Sequence, residues 1–163
     1  MTKTLLVVFH SNTGGTRAMA RAAAEAAAGQ GVRVRLLHAA DAGPEDMLGA
    51  DGYVFATPET LAAIAGPMKD FFDRCYYAVL GRIEGRPYAL MVCAGSDGSN
   101  AARQVARIAT GWRLRAMTEP LLVCTHAQTP EAILAEKVIG GEELARCAER
   151  GATLAAGMEI GAF

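Results

Sequence analysis

At 163 residues, 52% of them hydrophobic, the chain has the length and composition of one domain, residues 1–163, with a substantial core rather than a disordered segment. Its 16 basic and 17 acidic residues leave a net charge of −1, which gives no long-range attraction to nucleic acid and none of the acidity of a carrier steered onto basic partners. No stretch is apolar for long enough to span a membrane, and the amino-terminal apolar run is too short for a secretory signal, so the cytoplasm is the expected location.

Leu5 to Phe9 is continuously apolar, the pattern of a strand buried on both faces, and the Ala-rich run after Thr16 has helical spacing over 17–28. Between them lies His10-Ser11-Asn12-Thr13-Gly14-Gly15-Thr16. A strand that turns directly into a helix gathers unpaired N–H groups, and the helix dipole favours an anion there. Ser11, Thr13 and Thr16 add hydroxyls, while Gly14 and Gly15 permit tight backbone. No lysine follows the glycines, so the stretch is neither a nucleoside-triphosphate loop nor a three-glycine dinucleotide turn. A small phosphomonoester held by neutral donors fits, and so does a Ser/Thr-rich helix cap.

Gly29-Gln30-Gly31 ends the first helix, and Val32 to Leu36 alternates as an edge strand does. Residues 41–50 form a short helix or loop. Tyr53 to Thr57 is a second buried strand, expected to stop at Pro58 and leave Glu59-Thr60-Leu61 as a loop. Gly66-Pro67 opens a helix whose Met68, Phe71, Phe72, Cys75 and Val79 recur at core spacing. Tyr88 to Cys93 is a further strand, running into the turn-rich Ala94-Gly95-Ser96-Asp97-Gly98-Ser99-Asn100 and a helix over 101–110. Leu114 to Thr118 is a strand or an approach to one, and Leu121 to Cys124 is the clearer fifth strand. Thr129-Pro130-Glu131 caps a short helix through Leu134, and a last helix covers 142–158. Cys75, Cys93, Cys124 and Cys147 lack metal or redox-pair spacing, and His10, His38 and His126 form no metal motif.

Strands alternating with helices imply an α/β three-layer sandwich around a five-stranded parallel sheet in the order 2-1-3-4-5. Ligand groups then come from the loops at the strands' carboxyl ends, which are residues 11–16, 58–61 and 94–100.

In this order, Ser11-Asn12-Thr13-Gly14-Gly15-Thr16, Thr57-Pro58-Glu59, Pro67 to Arg74 and Ala94 to Ser99 resemble the flavodoxin-like superfamily, particularly its compact FMN-binding NAD(P)H-dependent reductases and quinone-reductase-like members. The resemblance implies that Ser11, Asn12, Thr13, Gly14, Gly15 and Thr16 wrap the phosphate of FMN, that Pro58, Glu59, Thr60 and Leu61 run along one side of the flavin, and that Gly95, Ser96, Asp97 and Gly98 approach its polar edge. It implies NAD(P)H as donor, a quinone or other small molecule as acceptor, and a dimer as a common assembly. Two departures weaken a pure carrier: the second loop has Thr60-Leu61-Ala62-Ala63-Ile64 where relatives often carry an aromatic or a Gly-Asn pair, and the third lacks a stacking aromatic. Trp112, Tyr76 and Tyr77 are candidates for the missing wall, in part through a partner subunit. The alternatives are a flavodoxin-type electron-transfer protein with no substrate of its own, and an interaction protein that has lost FMN. No nucleophile and base pairing points to hydrolysis.

Overall fold

The computed structural model describes residues 1–163. In chain order the elements are β1 (Thr4–Phe9), α1 (Gly15–Ala28), β2 (Arg33–His38), α2 (Pro44–Gly49), β3 (Gly52–Thr60), β4 (Ala63–Ile64), α3 (Gly66–Val79), β5 (Pro87–Ala94), α4 (Ser99–Gly111), β6 (Arg115–Ala116), β7 (Leu121–Cys124), α5 (Pro130–Leu134) and α6 (Gly141–Glu159). The sheet runs β2-β1-β3-β5, with β6 and β7 both paired to β5, and every pairing in it except the β3–β4 hairpin is parallel. This is the flavodoxin-like three-layer arrangement.

Hydropathy dictates the order of the strands. Leu5, Leu6, Val7 and Val8 are completely buried, and β1 has a neighbour on each side. The alternating β2 lies at the edge, where one of its faces meets water. On one face of the sheet Phe55, Phe71, Phe72 and Trp112 form an aromatic core under α3 and α4. On the other, α1 and α6 pack with small residues, and the backbones approach so closely that a Cβ on Gly151 would stand 2.6 Å from the Ala23 carbonyl carbon.

The structure departs from the sequence expectations in three places. β3 does not stop at Pro58 but continues to Thr60, with Pro58 in register with Cys93. Its last β1 partner is Ala56, so the proline falls where one side of the strand has no ladder to complete. The presumed loop beyond it is a hairpin, with Glu59 opposite Ile64 and Thr60 opposite Ala63. The fifth sheet position is divided: Arg115–Ala116 pairs near the start of β5 and Leu121–Cys124 near its end, separated by a bulging 117–120.

Candidate functional site

The carboxyl end of β1 enters α1 through the glycine pair. Gly14 holds φ at +94° as the residue before the helix, a conformation that suits glycine, and its N–H donates to Ser11 Oγ at 3.1 Å. The N–H groups of Gly15 and Thr16 find no acceptor among the chain's hydrogen bonds. Gly15 is also sterically required, because a Cβ there would stand 2.9 Å from Cys93 Sγ. These are the properties of an anion cradle, with unpaired amides at a helix start and backbone access kept open by glycine.

Two histidines hold the cradle from behind. The Ala40 N–H donates to His38 Nδ1 at 3.0 Å, so that nitrogen carries no proton. With neutral rings, His38 Nε2–H therefore donates to His10 Nδ1 at 3.0 Å, and His10 Nε2–H to Asn12 Oδ1 at 2.8 Å. His10 thus bonds an Asn12 side chain rather than the loop backbone.

The second and third loops are fastened to one another. Glu59, half-buried, accepts from Gly98 N–H at 2.9 Å through Oε1 and from Ala101 N–H at 3.2 Å through Oε2, placing a carboxylate on the start of α4. The hairpin turn at Leu61 and Ala62 has φ of +51° and +62°, a left-handed backbone that costs an ordinary residue about 1 kcal/mol or more. Asn100 Nδ2 donating to Ala62 O at 2.6 Å, and Ile64 N–H to Gln104 Oε1 at 2.7 Å, hold it in place. Asp97 is fully exposed; bonds from the Ser99 side chain and backbone hold its carboxyl below the usual aspartate range.

The loops enclose a cavity of about 460 Å³, within the range of single-ligand sites. Of the residues expected there, Ser11, Asn12, Thr13, Gly15, Thr16, Pro58, Glu59, Thr60, Leu61 and Gly95 line it. Gly14 sits just outside as the turn residue. Ser96, Asp97 and Gly98 do not line it, and the Gly98 N–H is taken by Glu59. Trp112, buried against Phe72, and Tyr76 both line a separate groove between α3 and α4, so this chain offers neither ring to the cavity.

Sequence reasoning missed the far wall. Residues 125–137 arch over the cradle and contribute Thr125, Ala127, Ile133, Leu134 and Lys137, while β5 adds Cys93 and Ala94. Burial pushes the Cys93 thiol up, opposed by a Thr16 hydrogen bond and the Lys137 charge. The length of the 125–141 connection was the available signal that it had work to do. The residues present fit a flavin mononucleotide, with hydroxyl and amide donors for a phosphate along 11–16 and an apolar, open rim to which Leu61, Ile133 and Leu134 contribute.

Residues 42–128 match the family described as NADPH-dependent FMN reductase. A flavodoxin of Aquifex aeolicus (strain VF5) is 35% identical over 105 residues, which are 63% of this chain and 55% of that protein, so the match spans about half the relative's length. Among solved structures, a flavodoxin from the domain Archaea superposes with a TM-score of 0.78 at 19% identity, covering 96% of this chain and 99% of the other. A flavodiiron core from Synechocystis also gives 0.78, at 14% identity, covering 98% of this chain and 37% of that one. These two likenesses concern the fold. The family match spans more than half of the 163 residues and contains the second and third loops of the site, and the chain therefore belongs to the NADPH-dependent FMN reductase family of the flavodoxin-like superfamily, whose redox chemistry is that of FMN.

Proposed function

We propose that the chain is one flavodoxin-like domain that carries electrons on FMN to and from another redox protein. Residues 11–16 hold the phosphate, Pro58 to Leu61 flank the ring, and Gly95 stands at its polar edge, with Ser96 to Gly98 behind it outside the cavity. The carrying observation is the cavity itself: about 460 Å³ suits one cofactor, and its apolar rim, with Leu61 96% exposed and Leu134 79% exposed, leaves the ring edge open to a partner. When bound, FMN supplies one- and two-electron chemistry. The protein's part is to bind the phosphate through hydroxyls and amides, to hold the hairpin against α4, and to cover the buried side of the ring.

The family match favours a second reading, in which NADPH or NADH reduces the bound FMN and a quinone or similar small molecule is the acceptor, with a homodimer as the working assembly. The protein supplemented with FMN should show a bound-flavin spectrum, and anaerobic addition of NADH or NADPH then separates the readings. Bleaching by a protein donor with no direct reaction with either nucleotide supports the carrier; rapid bleaching by NADPH refutes it in favour of the reductase. Thr13→Ala and Gly14→Val should weaken FMN binding, the first by loss of a donor worth about 1 kcal/mol and the second more, because valine cannot adopt φ of +94° without strain. Folded variants with unchanged FMN affinity would remove residues 11–16 from the site.

A further inference from the structure

The cradle has no basic residue in its own sequence, yet the fold brings one to it. Lys137 comes from the arch between α5 and α6, and its backbone N–H donates to Thr13 O at 2.8 Å. Its ammonium, half-buried, donates to Thr13 Oγ1 at 3.3 Å, Ile133 O at 2.7 Å and Ala135 O at 2.6 Å. All three acceptors are neutral, and Lys137 takes part in none of the chain's ion pairs. A cation beside the positive end of α1 is unfavourable on its own, since both carry the same sign. An anion between them removes the conflict.

The neighbouring charges do not supply it. Glu136 lies on the outer side of Gly14, with Oε1 3.7 Å from where a Gly14 Cβ would stand, and it does not line the cavity. Arg17 also approaches Gly14, but it is exposed and outside the lining. Lys137 alone among the basic residues lines the cavity. Its position is held by the arch: Thr129 Oγ1 caps α5 by accepting from Ala132 N–H, the Ile133 and Ala135 carbonyls grip the ammonium, and the buried Ile139 anchors the chain beyond.

We infer that Lys137 is the charge partner of the flavin phosphate, so that this protein selects the phosphorylated flavin over riboflavin by a cation delivered from a distant arch. The inference rests on the placement of the phosphate at residues 11–16. It predicts an FMN affinity that falls with ionic strength and a riboflavin affinity that does not.

The test is flavin-fluorescence titration of the apoprotein with FMN and with riboflavin, at low and high salt, for wild type, Lys137→Met, Lys137→Gln, Lys137→Arg and Arg17→Gln. Loss of the charge should weaken FMN binding roughly 10-fold or more, in line with a Coulomb attraction between partly buried charges a few ångströms apart, while leaving riboflavin binding unchanged and abolishing most of the salt dependence. Lys137→Arg should keep the preference for FMN, and Arg17→Gln should change it little. Equal losses for the two flavins in both Lys137→Met and Lys137→Gln would make the lysine a strut of the arch and overturn the inference while sparing the cradle. Unchanged FMN affinity in those variants would overturn it too. A wild-type protein that binds riboflavin as tightly as FMN would instead refute the placement of the phosphate.

Discussion

Replacing Glu59 by alanine should loosen the site and the fold together. Its two carboxylate oxygens accept from Gly98 and Ala101 at 2.9 and 3.2 Å, and both donors belong to the start of α4. Hydrogen bonds to a charged acceptor contribute about 1.5–3 kcal/mol each when shielded, and a carboxylate at a helix N-terminus adds roughly 0.3–1 kcal/mol. Glu59 is half-buried, so water replaces part of what is lost and the longer bond is the weaker; about 2 kcal/mol is the expected net cost. For a chain of this length that is a fall of about 4–8 °C in Tm. Glu59→Gln keeps one acceptor but turns an amide toward the second N–H, and should cost about half as much. Urea unfolding of the apoprotein measures the global change. Amide exchange at Gly98 and Ala101 measures the local one, and both sites should exchange faster than the β5 core. FMN affinity should fall as well, because the 59–64 hairpin would lose one of its ties to α4. Unchanged stability together with unchanged protection at Gly98 and Ala101 would refute the reasoning, as would a glutamine variant as damaged as the alanine one.

Gly151→Ala should destabilise the α1–α6 contact: the new methyl would lie within 3 Å of three backbone atoms of Ala23, and overpacking of about 2–3 kcal/mol outweighs the gain of up to about 1 kcal/mol in helix propensity, so a urea midpoint at or above wild type would contradict it. Burial, with smaller contributions from neighbouring charges, raises the thiols of Cys75 and Cys147 from the ordinary 9.0 to about 11. The folded state therefore holds these protons more tightly than the unfolded chain, and the resulting stability is complete below pH 9 and lost as pH climbs toward 11, by roughly 2–3 kcal/mol per thiol. Urea midpoints at pH 8 and 10.5 should differ accordingly, and less so in Cys75→Ala and Cys147→Ala; a pH slope unaffected by either substitution would assign it elsewhere.

What was legible in the sequence is what neighbouring residues decide among themselves. The unbroken run from Leu5 to Val8 marked a central strand, the alternation after Val32 an edge, and the Ser/Thr/Gly pattern of 11–16 a turn with free amides, because each depends on chemistry spanning only a few positions. Pro58 was misread for the complementary reason. Whether a proline interrupts a strand depends on which neighbour its missing N–H would have met, and β1 ends two residues too early to need it.

Glu59 and Lys137 raise a harder point. Nothing adjacent to Glu59 says that its carboxylate will close on amides 39 and 42 positions away, and nothing near Thr13 says that a lysine 124 positions later will reach its hydroxyl. A loop of neutral donors identifies where an anion can sit, but the net charge of the finished site is set by whichever side chains the remaining loops carry in. Here the arch adds a positive charge to a cradle that reads as neutral, and Glu59 withdraws amides from a loop that reads as open. Two chains with the same 11–16 sequence can therefore differ in how strongly they prefer the phosphorylated flavin and in which donors face its ring, and the 59–64 hairpin and 125–140 arch are where that difference is encoded.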